Sequence, residues 1–113
     1  MPSFQSADAQ INYQTFGEPS FPALVFSNSL GTNYGMWQKQ FNELKDQFFV
    51  ICYDTRGHGS SSTPDGPYTV EQLGEDVVRL LDHLNISKAA FCGISMGGLT
   101  GQWLAIHYPD RFS

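Results

Sequence analysis

The chain has 113 residues, enough for one modest domain around one core and too few for two. Its 41% hydrophobic and 15% charged residues match a globular composition and exclude a disordered one. A net charge of −5 argues against nucleic acid or anionic membrane as a partner, and no apolar run approaches the ~20 residues of a membrane span.

The first residues show no basic segment followed by an apolar core, so no secretory signal is expected and a cytoplasmic location is. Cys52 and Cys92 each fall in an apolar, strand-like run, where a free thiol behaves as a small hydrophobe. A reduced pair is the expectation. Without a secretory context the sequon Asn85-Ile86-Ser87 carries no meaning.

Two short strands, Phe4 to Ser6 and Gln10 to Phe16, are predicted around the polar turn Ala7-Asp8-Ala9. The second alternates, with Ile11, Tyr13 and Thr15 on one side and Asn12 and Gln14 on the other. Gly17 to Pro22 breaks the pattern, and Ala23-Leu24-Val25-Phe26 reads as a strand buried on both faces. A polar loop, Ser27 to Asn33, follows it. Trp37, Phe41 and Leu44 recur at helical spacing and predict an amphipathic helix from about Tyr34 to Lys45. Phe48 to Tyr53 is a further buried strand, and Asp54 to Pro67 a long loop rich in Gly, Ser and Pro. Thr69 and Gln72 form a capping-box signature ahead of the stripe Val70, Leu73, Val77, Leu80, Leu81 and Leu84. That helix should end near Asn85. A last strand, Ala89 to Cys92, leads into a last helix that Pro109 stops.

After the opening pair, apolar strands alternate with amphipathic helices. That order calls for an α/β sheet with parallel strands and helices on both faces, in a single domain spanning 1–113. Ligands bind such sheets outside the C-terminal ends of the strands. The loops carrying Asn28, Asp54 and Ser95 all end strands at that edge and should converge.

Between the last strand and helix lies Gly93-Ile94-Ser95-Met96-Gly97, with Gly two residues either side of a Ser. This is the G-x-S-x-G pattern in which a sharp strand-to-helix turn lifts a nucleophilic hydroxyl clear of the sheet. The competing reading is a glycine-rich turn with an incidental Ser. A P-loop is excluded, because no Lys follows Gly97 or Gly98.

With that elbow, Asp54-Thr55-Arg56-Gly57-His58-Gly59-Ser60-Ser61 resembles the D-x-R-G-x-G-x-S loop of the α/β-hydrolase superfamily, and the likeness runs over essentially the whole chain as the first half of that fold. Many members place His-Gly after the third strand, where this sequence has Asn28-Ser29. The Ser27-Asn28-Ser29-Leu30-Gly31-Thr32 loop, the following Trp37 and the Gly93-Ile94-Ser95-Met96-Gly97-Gly98-Leu99 elbow are similar to the 3-oxoadipate enol-lactonases. The resemblance implies hydrolysis of an enol-lactone to 3-oxoadipate in bacterial catabolism of aromatic acids. It implies Ser95 as nucleophile and the backbone N–H groups of Leu30 and Met96 as the oxyanion hole, with no metal or organic cofactor. Asn28, Ser29, Asp54, Arg56, His58, Gly93 and Gly97 are expected to support the active-site loops. A small lactone or ester is the expected partner. A carboxylesterase or a cofactor-free perhydrolase is the alternative activity.

The superfamily orders its triad Ser, acid, His. His107 lies twelve residues beyond Ser95 on the same helix, about 18 Å away at 1.5 Å per residue, and His83 ends the preceding helix. Matched by motif, His58 belongs to the loop and not to the triad, and Asp110 to the helix end. The expectation is therefore a fragment that is inactive or nearly so by itself. An unpaired edge at the last strand is expected to invite self-association or a partner, and a non-catalytic remnant that acts through that edge is the further alternative.

Overall fold

The computed structural model describes residues 2–28, 34–58, 61–63 and 68–112. Its elements are β1 (Ser3–Ser6), β2 (Ala9–Phe16), β3 (Ala23–Ser27), a 3-10 turn (Tyr34–Trp37) running into α1 (Gln38–Leu44), β4 (Phe49–Tyr53), α2 (Val70–His83), β5 (Ala90–Gly93) and α3 (Met96–His107). Each predicted element is present, with ends shifted by a residue or two. The one predicted helix over 34–45 is divided, its first turn being 3-10.

The five strands form one sheet in the order β1-β2-β4-β3-β5. β3 pairs parallel with β4 on one side and with β5 on the other, as alternation with helices requires. β1 and β2 are antiparallel, and so are β2 and β4. The sheet is thus mixed, parallel around β3 and antiparallel on the β1 side. The physical reason is connection length: Ala7 and Asp8 alone join β1 to β2, and so short a link can only build a hairpin. Ala7 takes the positive φ of 52° that the tight hairpin turn demands.

Successive residues of a strand face opposite ways, which assigns the core to two layers. Val25, Ile51 and Tyr53 point to the side covered by α2 and α3, where Val77, Leu80, Leu81 and Leu104 are buried. Phe26, Val50 and Cys52 point to the other, against Trp37 and Phe41. Helices therefore cover both faces. At the start of α2 both capping-box bonds are made: the Gln72 N–H donates to Thr69 Oγ1 at 3.1 Å, and the Thr69 N–H donates to Gln72 Oε1 at 3.0 Å. The two cysteines part company. Both are free thiols; Cys52 is fully buried, whereas Cys92 is exposed, because β5 lies at the margin of the sheet. Among the described residues no helix is long and apolar enough to cross a membrane.

Candidate active site

Ser95 stands between β5 and α3, at the N-cap of that helix. A Ser in this place ordinarily takes extended backbone angles and caps the helix with its side chain. Here φ is 56° and ψ −112°, and the side chain makes no cap bond. A non-glycine residue held there carries of order 1–3 kcal/mol of strain, which the surroundings must enforce. The enforcing contacts are visible. A Cβ on Gly93 would overlap the Gly97 backbone, and a Cβ on Gly97 would overlap the Ser27 carbonyl. The chain beneath Ser95 is held by hydrogen bonds from the Gly97 N–H to the Ile94 carbonyl (2.9 Å) and from the Ile94 N–H to the Ser27 carbonyl (3.3 Å). Strand β3, the turn and α3 are consequently packed too closely for side chains between them.

Ser95 itself is exposed, and among the described residues none hydrogen-bonds to its Oγ. Met96 opens α3, so its N–H belongs to the first turn, where the intrahelical ladder supplies no acceptor and the helix dipole favours negative charge.

At the end of β3, Asn28 is completely buried and spends its amide on two neighbours. Its Nδ2 donates to the Tyr53 carbonyl (2.9 Å), and its Oδ1 accepts from Trp37 Nε1 (2.9 Å). Trp37 in turn stacks on Phe26, with ring centroids 4.6 Å apart. Ser27 Oγ and the Tyr53 hydroxyl share a further buried bond of 2.7 Å. Burial pushes the Tyr53 phenol well above its ordinary value, so this bond stays neutral. These contacts hold the end of β3 against the end of β4 where the following loop departs. Ser29 and Leu30, expected to support and to form the oxyanion hole, lie outside the described residues.

The loop after β4 is wound back onto β2. The Asp54 N–H donates to the Asn12 carbonyl (2.9 Å), and the Ser61 hydroxyl donates to the Asp54 carbonyl. Arg56 is 1% exposed. Its Nε and Nη2 grip both oxygens of Asp76 at 2.7 and 2.8 Å, and its Nη1 reaches Asp8 at 2.8 Å. Asp76 also accepts from Ser6 Oγ. Pairing with two carboxylates raises the Arg56 pKa further above its ordinary value, and the same contact lowers that of Asp8. His58 is half-buried, with Nδ1 3.2 Å from the Arg56 carbonyl. His83, on α2, meets the Tyr13 hydroxyl at 3.1 Å and stacks on Phe4. His107 ends α3, its ring 4.6 Å from that of Trp103.

Two participants were not singled out from the sequence. Asp76 follows Leu73 by three positions and precedes Leu80 by four, so a carboxylate on the buried stripe of α2 was the available signal. For Tyr53 there was none, since a strand-end tyrosine is equally at home in a core. Among the described residues no group of His, Cys, Asp and Glu could hold a metal ion.

Comparison with known proteins places this geometry. A family model described as alpha/beta hydrolase fold matches residues 22–113. The chain is 68% identical to 3-oxoadipate enol-lactonase 2 of Acinetobacter baylyi over 106 residues, covering 94% of this chain and 40% of that protein. It is 56% identical to 3-oxoadipate enol-lactonase 1 of the same organism over 102 residues, covering 90% and 38%. The crystal structure of the enol-lactonase from Burkholderia xenovorans LB400 superposes with a TM-score of 0.96 at 48% identity, covering 99% of this chain and 44% of that one. The chain thus spans about two fifths of the length of these relatives.

Proposed function

Because this chain belongs to the alpha/beta hydrolase fold family, we propose that it carries the nucleophile half of a serine hydrolase that opens 3-oxoadipate enol-lactone. The observation that carries the reading is Ser95, exposed on strained backbone at a helix N-terminus, its hydroxyl bonded to none of the described residues. Ser95 Oγ attacks the lactone carbonyl as a histidine base takes its proton, giving a tetrahedral oxyanion. The Met96 N–H, at the start of α3, receives that charge together with the Leu30 N–H; one such donor is worth about 3–4 kcal/mol of barrier. Collapse expels the enol oxygen and leaves an acyl-Ser95 ester, which water then hydrolyses. The leaving group stays tethered, and its enol tautomerises to the ketone, so ring opening does not reverse. No step calls for a metal or organic cofactor.

The supporting residues divide by what they hold. Gly93 and Gly97 admit the tight turn. Asn28 holds the end of β3, and we assign Ser29, which follows it in sequence, a supporting part beside Leu30. Asp54, Arg56 and His58 brace the neighbouring loop. None of His58, His83 and His107 hydrogen-bonds to Ser95, so we assign the base to none of them and expect the 113-residue chain alone to turn over little.

A chimera tests the reading. Residues of this chain replace the matching part of the Acinetobacter baylyi enol-lactonase 2, and enol-lactone opening is compared with hydrolysis of a simple aryl ester. Enol-lactone opening that vanishes in Ser95→Ala is the expected result. A folded chimera that cleaves only the aryl ester would replace the lactonase reading by a carboxylesterase one. Full activity in Ser95→Ala would remove Ser95 from the mechanism.

A further inference from the structure

The turn that bears Ser95 is built against one atom, the Ser27 carbonyl oxygen. It accepts from the Ile94 N–H at 3.3 Å, and the Gly97 backbone lies so close to it that a Cβ there would overlap. Residues 94 and 97 bracket Ser95, so a shift of this oxygen moves the serine. What fixes the oxygen is therefore part of the site. The backbone register between β3 and β4 ends at Phe26 and Cys52, one residue before Ser27. Beyond it, side chains take over. Ser27 Oγ and the Tyr53 hydroxyl bond at 2.7 Å, and Asn28 Nδ2 donates to the Tyr53 carbonyl at 2.9 Å. Among the described residues Ser27 Oγ has no second partner. Tyr53 is itself held from its other side, in register with Tyr13 of β2. Ser27 is 1% and Tyr53 2% exposed, so neither hydroxyl can turn to water instead.

We propose, on the reading of Ser95 as nucleophile, that Tyr53 is a positioning residue that acts on Ser95 through Ser27. A phenylalanine would fill the same core space. Replacing both partners of a buried hydrogen bond by apolar groups of the same shape costs little stability. The contribution of the pair is one of place. It holds the Ser27 backbone in one position at the strand end, and through Ile94 and Gly97 it holds the turn. Misplacing a reacting group by 1 Å costs up to about 10²-fold in rate, so a shift of a few tenths of an ångström is enough to be read.

Three variants of the chimera test this: Tyr53→Phe, Ser27→Ala and the two together. Tyr13→Phe is the control, since it removes a tyrosine hydroxyl from the neighbouring strand, where it meets His83 and not the turn. Kinetics are measured on whichever ester the parent chimera cleaves, with urea unfolding and amide hydrogen exchange alongside. The exchange is read in the 113-residue chain as well. Each single variant should lower kcat about tenfold and leave KM within about twofold. The Ile94 amide should exchange about tenfold faster, while that of Leu80 in α2 is unchanged. The double variant should lose no more kcat than either single one, because the same bond is gone in all three. Its urea midpoint should return toward the parent value while kcat stays low, a split that a merely structural part for Tyr53 would not produce. Tyr13→Phe should move neither kcat nor the Ile94 amide. Parent values of kcat and of Ile94 exchange in Tyr53→Phe overturn the proposal. So do losses that add in the double variant, or Ile94 and Leu80 amides that quicken equally. Should Tyr53→Phe fail to fold, Ser27→Ala carries the same readouts. Activity that survives Ser95→Ala overturns the nucleophile reading and this proposal with it, whereas a Ser95-dependent chimera indifferent to Tyr53→Phe overturns this proposal alone.

Discussion

At Ser95 the backbone does what the side chain usually does: it, and not a capping hydroxyl, determines how α3 begins. The glycines around it are unequal. A methyl group on Gly97 would meet the Ser27 carbonyl, a backbone atom with no side chain to swing away, whereas one on Gly98 would lie 3.7 Å from the Gly93 carbonyl in ordinary contact. Gly97→Ala should therefore cost about 1–3 kcal/mol by forcing β3 and α3 apart. Gly98→Ala should be neutral or stabilise by up to ~1 kcal/mol through helix propensity. Urea unfolding of the two variants checks this, and equal losses would contradict it. The G-x-S-x-G spacing singles out Gly97 in the sequence; that Gly98 has room for a methyl group only the packing shows. Asn28 is similar: its place at a strand end was legible, but its bonds to Trp37 and Tyr53 join residues 9 and 25 positions away.

Among the elements, the β1–β2 hairpin joins the rest of the molecule through the β2–β4 pairing, and its turn also meets the buried Arg56. Asp76 brings α2 to that guanidinium and Asp8 brings the hairpin turn, so three parts of the chain meet on one side chain. Removing one member of a buried pair strands the other charge. Asp76→Ala should cost about 3–5 kcal/mol, read from urea midpoints. Asp8→Ala should cost much less, because its carboxylate faces water and is screened. The Asp8 pKa is depressed in the folded state, so its contribution is present above about pH 3.8 and fades as acid protonates it. The helix and strand periods of these elements, and the capping box of α2, were plain from spacing. The ion pair was not, because Arg56 and Asp76 belong to separate local patterns that only packing brings together.

For the whole molecule, the alkaline limit of stability follows from what the core encloses. Burial, with Asp54 nearby, pushes the Cys52 thiol up to about 12 from 9.0, and the Tyr53 phenol is raised as well. A raised folded pKa means full stability below the unfolded value and a loss as pH climbs from there through the folded one. Stability should hold to about pH 9 and then fall toward pH 12. In Cys52→Ala the fall should be shallower, whatever the variant loses to its small cavity at every pH. Urea unfolding across pH 8–11 reads the slope, and an unchanged slope would remove Cys52 from the effect.

The sequence by itself determined the kind of molecule. Alternation of apolar runs with helical stripes, the glycine spacing about Ser95 and the loop after β4 are all local patterns, and each is written within a few turns or one strand. They sufficed for the fold class and for the turn that presents the serine. Tertiary structure decided the rest. It made the sheet mixed, since the hairpin lies beside β4 and not at the parallel end. It exposed Cys92, since strand order and not hydrophobicity sets which strand is marginal. It joined Asn28 to Trp37 and Arg56 to Asp76, contacts that depend on where distant segments meet. Local periods choose the elements, and burial of their apolar faces against one another chooses the neighbours.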